Sequence, residues 1–292
     1  MGSKFNRGTG LLVINVVNSN PNGDPDGESE PRTFEGDSRG LISPVSFKRK
    51  VRDLMENEAG QVRQAALDAT GRSESGRSFE ILESRGRDRK KISAMPLDEF
   101  RAAYWDGRIF GNTFVEEKDK GRFITTGVVQ IGPGVSIAPV EITRLTLTNK
   151  SGVEQGKDRG MAPLAFRVVR HGLYVMPFFV NPSAADKSGC DTRDIEILKF
   201  LIPFAYSHTA SGIRPQVEIV HAWYAEHNNP LGSCPDPLIL SALRPKKRIN
   251  PEEASRGIED YDVPKDLPGD LRSRLASFED LCIKSWPLAA AA

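Results

Sequence analysis

The chain has 292 residues, 40 Lys and Arg against 39 Asp and Glu, a net charge of +1, and is 38% hydrophobic and 27% charged. That length makes one large domain or two small ones and buries roughly three quarters of the unfolded surface, so the core needs no disulfide or structural metal. The composition excludes global disorder, no apolar run reaches the roughly 18 residues of a membrane span, and the bulk charge gives no reason to expect a polyanionic partner.

The opening MGSKFNRGTG has no apolar signal core, so a cytoplasmic location is expected. Gly10 to Asn18 (GLLVINVVN) reads as a buried strand rich in Val, Ile and Leu. Asn18 to Pro31 (NSNPNGDPDGESEP) is a run of turn dipeptides and reads as a polar loop. Ser43 is a candidate N-cap and Pro44 suits the first helical position, so a helix is predicted through VSFKRKVRDLMENE. Its spacing puts Phe47, Val51, Leu54 and Met55 on one buried stripe.

Residues 59–95 are polar, Gly-rich and basic, and read as a mobile insertion with a short helix near Gln61 to Ala69. A second helix is predicted over Pro96 to Trp105. Strand formers dominate Arg122 to Ile131, Val135 to Thr148 and Ala165 to Val180. Residues 149–163 interrupt them as a projecting hairpin tip (a thumb) or a loop. Asp191 to His208 reads as a deeply packed helix and Gln216 to Glu226 as a strand. Residues 245–270 are Pro-rich and charged and read as a surface excursion, and residues 288–292 as a scar of expression. No internal repeat of 20–50 residues is present. The order of elements predicts an α+β fold of ferredoxin or RRM type, one domain over 1–292 with long insertions.

Chemical motifs are sparse. Cys190, Cys234 and Cys282 are widely spaced and read as free thiols. His221, His227 and Cys234 match no common zinc spacing, and a calcium loop begun at Asn22, Asp24 and Asp26 would need Glu where Thr33 stands. No nucleophile elbow or phosphate-binding loop accompanies the four histidines. These residues by themselves single out no catalytic, metal or cofactor site. The predicted helix carries Lys48, Arg49, Lys50 and Arg52, with Asp53 the one acid among them. Charge runs usually face solvent, but uncompensated charges on a folded helix repel unless a polyanion neutralises them. Phosphates respond to such local fields rather than to net charge.

LLVINVVNSNPNGDPDGESEPR followed by RGLISPVSFKRKVRDLM resembles the CRISPR-associated Cascade backbone subunit, the family numbered seven in the RAMP superfamily. The version is similar to type I-C, with type I-B the nearest alternative. Asp106-Gly107-Arg108-Ile109-Phe110-Gly111 is similar to the family's D-x-R-x-F-G, and Thr126-Gly127-Val128-Val129-Gln130 to its T-G-P-V-Q with Val for Pro. His171-Gly172-Leu173-Tyr174 and Asn181-Pro182 fall in the expected order. The resemblance covers roughly residues 10 to 245. Ser207 to Arg214 departs from the form H-x-x-S-A-A-R-G.

The resemblance implies an RRM-like palm with inserted fingers and a projecting thumb hairpin. It implies copies polymerising head to tail along a CRISPR RNA, a heterologous interface that makes a filament. The RNA would stay free to pair with a target DNA strand. Other Cascade subunits would complete the complex, and a recruited nuclease-helicase would cut. On this reading Lys48, Arg49 and Arg52 bond phosphate oxygens, with Ser46 and Arg32 nearby. Asn20 and Asn22 offer uncharged contacts, and Asn112, Gln130 and Arg214 are further RNA-binding candidates. Phe110 or Phe114 would wedge between bases or lie in the core. Glu252, Glu253, Glu259, Asp260 and Asp262 are candidates for a subunit interface. The alternatives are a metal-dependent RNA endonuclease built on Asp24, Asp26 and His208, and a protein-interaction domain whose basic helix binds an acidic partner.

Overall fold

Leu12, Ile14 and Val16 fall on one side of the first strand and Leu11 and Val13 on the other, and all five are buried. Burial on both faces marks this strand, β1 (Gly8–Ser19), as central to a covered sheet. The computed structural model describes residues 5–71, 77–112, 125–149 and 162–285. Among them the main sheet has eight strands. Beside β1 these include β2 (Arg39–Ile42), β3 (Gly134–Pro139), β4 (Ile142–Asn149), β5 (Ala162–Val180), β6 (Val217–His227) and β7 (Leu275–Asp280). The order is β7-β6-β1-β5-β3-β2, with β4 and Val129–Ile131 also paired to β5, and every pairing is antiparallel.

The predicted N-terminal helix is present as α1 (Pro44–Glu56), with the Ser43 side chain accepting from the Ser46 amide at 3.2 Å. Phe47, Val51, Leu54 and Met55 pack against the β1 face that carries Leu12, Ile14 and Val16. A second long helix, introduced below as α5, shares this face through Ile195, Ile197, Leu198 and Leu201. A bulge lets β6 serve the same face in both halves. Val13 pairs with His221 and Ile14 with Ile219, so Val220 is extra. Val217 and Ile219 before it, and Ala222 and Tyr224 after it, therefore all join the helix-side core.

The chain between α1 and β3 differs from the expected mobile insertion. Its described parts fold as α2 (Gln61–Ala69) and as a segment whose Phe79 and Ile81 enter the main core. Leu82 and Ile92 form a small third core with Phe100 and Tyr104. Apolar residues are few here, but these are buried. The single helix expected over Pro96 to Trp105 is two, α3 (Leu97–Ala103) and α4 (Trp105–Phe110), joined at the extended Tyr104. The helix expected from Asp191 to His208 ends early. α5 (Thr192–Leu201) gives way to 3-10 turns at Ile202–Phe204 and Ser207–Thr209, since Pro203 has no amide to donate.

The second sheet face was not anticipated. Leu11, Val13, Leu173, Val175 and Trp223 lie beneath Ile239 and Leu243 of α6 (Asp236–Leu243) and beneath Tyr261, Leu267 and Leu271. Residues 245–270 therefore act as more than a surface excursion: Tyr261 and Leu267 seal the sheet, while Ile249 and Ile258 are exposed. β4 and β5 pair from Ile142–Val169 to Asn149–Ala162, so residues 149–163 join the two strands of a hairpin. Residues 150–161 and 288–292 lie outside the described residues. No helix among the described residues is long and apolar enough to cross a membrane.

Candidate nucleic-acid interface

The site is built on two buried ion pairs. Asp106 is fully buried, and its carboxylate accepts from Arg52 Nε at 2.8 Å and from the amides of Leu82 at 2.6 Å and Glu83 at 3.2 Å. Arg108, two residues on, donates Nε and Nη2 to Asp194, both at 2.9 Å, and its other N–H groups to the carbonyls of Arg101, Ala102 and Ser78. Burial pushes the Asp194 carboxyl upward, and its bonds to Arg108 oppose that. α4 thus fastens α1 on one side and α5 on the other.

Directly after α4 the backbone turns through Gly111 at φ 76°. Gly111 and Asn112 pair with Thr126 and Thr125. A Cβ on Gly127 would lie 2.1 Å from the carbonyl carbon of Phe110, and one on Gly111 would lie 2.3 Å from the Thr125 oxygen. Two backbones cross here with no room for a side chain. Between this crossing and α1 lies a groove of about 690 Å³, bounded by Val45, Lys48, Arg49 and Arg52 on one wall and by Phe110, Asn112, Thr126 and Gln130 on the other.

The four bases of α1 are not equivalent. Arg52 is held by Asp106 and is only 9% exposed. Arg49 is engaged by Asp53 at 2.7 Å, by Glu56, and by the Glu83 carbonyl at 2.7 Å. Both were expected to bond phosphate oxygens, and in the fold both also pair with carboxylates. Lys48 is the exception. Its Nζ lies 5.1 Å from the centre of the Phe110 ring, which Arg52 also faces at 5.2 Å. Burial and then the Arg52 charge hold the Lys48 pKa below the ordinary lysine range. Among the described residues it makes no ion pair. Lys50, named with the bases of the helix but not among the RNA-binding candidates, is half-buried on the other flank. Its pKa is lowered by burial and then by Arg214. The 200° between positions 48 and 50 of a helix was the signal available for it.

The remaining candidates divide. Gln130 is exposed in the groove, its amide donating to the Gly127 carbonyl at 3.0 Å. Asn112 is 7% exposed and donates to Thr125 Oγ1 at 3.1 Å. Ser46 is half-buried near the start of α1. Asn22 accepts from the Ser43 amide at 2.7 Å, tying the polar loop to the helix start. Arg32 pairs with Asp24 at 3.2 Å. Asn20 is 3% exposed and donates to the carbonyls of Ser29 at 2.6 Å and Arg167 at 3.3 Å, bracing the loop, while its Oδ1 has no hydrogen-bond partner among the described residues. Phe110 is core, edge-on to Trp105 at 6.2 Å, and Phe114 lies outside the described residues.

Asp24 also receives the Asp26 amide at 3.2 Å, and His208 is exposed, edge-on to Phe204. Among the described residues no three His, Cys, Asp or Glu stand together as metal ligands. Cys190, Cys234 and Cys282 are free, and burial pushes the Cys282 thiol up to about 12. Glu252, Glu253, Glu259 and Asp262 are exposed on the sheet cover, where Asp262 pairs with Arg248 at 2.9 Å and Asp260 accepts from the Arg256 amide at 2.8 Å.

Residues 6–266 match the family model described as CRISPR-associated protein Cas7. A protein of Haloferax volcanii described as CRISPR-associated protein Cas7 is 23% identical over 214 residues, which are 68% of this chain and 63% of that protein. The chain thus spans less than two thirds of that relative's length. Two solved structures are also similar. One, described as a CRISPR RNA-guided surveillance complex, pre-nicking, aligns with a TM-score of 0.48 at 14% identity over 82% of this chain and 83% of that one. The other, described as a CRISPR RNA-guided surveillance complex, aligns with a TM-score of 0.41 at 15% identity over 80% of this chain and 75% of that one.

Proposed function

The chain belongs to the family of CRISPR-associated protein Cas7, and on that premise we propose that it is a non-catalytic backbone subunit that binds a CRISPR RNA in a Cascade-type surveillance complex. In this reading several copies line the RNA head to tail, and the guide bases pair with a target DNA strand. The other subunits and a recruited nuclease-helicase act around that filament, and the subtype is I-C. The palm is the split unit β1-α1-β3 and β5-α5-β6, whose strand order β6-β1-β5-β3 is that of a ferredoxin or RRM fold. The insertion carrying α2 to α4 corresponds to fingers, and the β4–β5 hairpin to the thumb.

The observation that carries the reading is Lys48. A half-buried ammonium beside a second cation, in no ion pair among the described residues, faces an open groove whose one lining acid, Glu83, pairs with Arg87 at 3.6 Å, so it can take a further anion. A phosphodiester supplies one without requiring a particular base, which suits a protein that reads backbone and leaves sequence to pairing. Light scattering on a sizing column, with and without a CRISPR RNA of spacer length, tests the proposal. A discrete RNA-dependent oligomer is expected. A chain that stays monomeric with RNA, both alone and with its neighbouring subunits co-expressed, would overturn it.

A further inference from the structure

β1 begins, and β5 and β6 end, at the same end of the sheet, where Gly8 pairs with both Val180 and Glu226. The chain just outside these strands meets there and bounds a cavity of about 370 Å³. Its apolar lining is Phe5 before β1, Pro182, Ala185 and Cys190 after β5, and Pro230 and Leu231 after β6. We infer that this end of the sheet is a two-fold contact between two copies of the chain, in which Leu231 of each enters the cavity of the other. The inference goes beyond the RNA-binding reading and does not depend on it.

A lone exposed leucine is ordinary on a protein surface. Leu231, 91% exposed, differs in how it is held. Asn229 Oδ1 accepts from the amides of Leu231 at 2.9 Å and Gly232 at 3.1 Å. On either side, Asn228 Nδ2 donates to the Arg274 carbonyl at 2.7 Å, and the Ser233 amide to His227 Nδ1 at 2.9 Å. The turn thus fixes the backbone of Leu231 at the lip of the cavity, and little chain entropy remains to be lost when a partner docks.

The charges around it fit a second copy. Residues 228–235 (NNPLGSCP) hold no charged side chain in a chain that is 27% charged. The next acid, Asp236, is turned inward, accepting from Thr9 Oγ1 at 2.6 Å and pairing with Arg7. Arg77 in the cavity wall is engaged by Asp191 at 2.6 Å and by the Gly189 carbonyl at 2.9 Å. Asp186 in the same wall is exposed beside the exposed Lys187, so both signs stand together there. Depletion of charge around an apolar centre marks the core of a protein interface, and a surface that meets its own copy must also not repel itself. A knob and a hole side by side on one surface are what an isologous pair requires, since each copy then gives one and takes the other. A cavity of about 150 Å³ already holds a benzene-sized group, so this one has room for a leucine side chain.

Sedimentation equilibrium of the RNA-free chain over a concentration series tests the contact. A monomer–dimer equilibrium with no larger species is expected. Leu231→Asp should weaken the dimer by about tenfold or more, since it would bury an unpaired carboxylate. It should leave the melting temperature of dilute protein unchanged, because the side chain is 91% exposed. Ser183→Trp, at an exposed position of the cavity wall, should weaken the dimer by filling the hole. An equimolar mixture of the two variants should dimerise better than either alone, because one intact knob then faces one intact hole. A wild-type chain that stays monomeric into the sub-millimolar range overturns the inference. A mass that keeps growing with concentration overturns the two-fold arrangement. A dimer indifferent to Leu231→Asp, or a mixture no better than its components, overturns the knob-in-hole contact. None of these outcomes bears on RNA binding, which the salt slope of Lys48→Ala reads separately.

Discussion

Arg52 of α1 and Asp106 of α4 are 54 residues apart in sequence and 2.8 Å apart in the fold, both inside the protein. The pair joins the basic helix to the D-G-R-I-F-G segment and sets one wall of the groove against the other. Asp106→Ala would strand a buried guanidinium and also free the amides of Leu82 and Glu83. Breaking such a pair from one side typically costs about 3–5 kcal/mol. Urea denaturation should show a loss of that order, with Asp106→Asn losing less because its amide oxygen still accepts. A loss below about 1 kcal/mol would mean that Arg52 regains water.

Lys48 and Arg52 share a flank, yet their substitutions should behave oppositely. Lys48→Ala removes a cation that burial already disfavours and should leave the melting temperature nearly unchanged. It should lower the salt slope of RNA binding by about 0.7. Arg52→Ala should unfold the protein at lower urea, because Asp106 is then buried without its counter-charge. A combined Lys48, Arg49 and Arg52 variant is accordingly a poor test of binding. Equal melting temperatures for the two single variants would refute the distinction.

Much of this was legible in the sequence, for physical reasons. α1 could be placed by its cap, its proline and its apolar stripe, because those are local signals. Its position 52 adjoins Val51 and Met55, so a partly buried arginine was readable there, but nothing local names Asp106 as its partner. The cover of the second sheet face was missed for the same reason. Tyr261, Leu267 and Leu271 are single apolar residues in a charged, Pro-rich stretch, and only the folded chain gathers them over Trp223. The bulge at Val220 is likewise invisible in a strand whose alternation simply changes phase.

Gly127 is the closest point of the backbone crossing that floors the groove. A methyl group there would have to push back the main chain at Phe110, from which it would lie 2.1 Å away. Gly127→Ala should destabilise the fold by about 1–3 kcal/mol, the usual range for overpacking. Because it removes no charge, it should weaken RNA binding without changing the salt slope. A lowered slope would show that the crossing holds a phosphate directly.

Two buried histidines should set the acid sensitivity above the carboxylate range. His227 is fully buried; its Nδ1 accepts from the Ser233 amide at 2.9 Å, so Nε2 carries the proton and faces Thr9 Oγ1 at 3.1 Å. His171 is 1% exposed; its Nε2 donates to Asn15 Oδ1 at 3.1 Å while Nδ1 meets Ser255 Oγ at 2.7 Å. Both rings are satisfied as neutral imidazoles. Burial lowers the pKa of each, against the partial pull of Asp236 on His227 and of Asp260 and Glu259 on His171. A lowered folded pKa means that the unfolded chain binds more protons, so stability falls as pH drops below the unfolded value of about 6.5. The loss is complete once pH is below the folded values. Asp236 and Asp280, whose pKa values are lowered, lose their contribution only below the carboxylate range and so act in a separate window. Urea midpoints should therefore be lower at pH 5.5 than at pH 7.5, and a His171→Gln, His227→Gln variant should flatten that difference while being less stable at pH 7.5. A slope that survives both substitutions would show that these two histidines do not set the sensitivity.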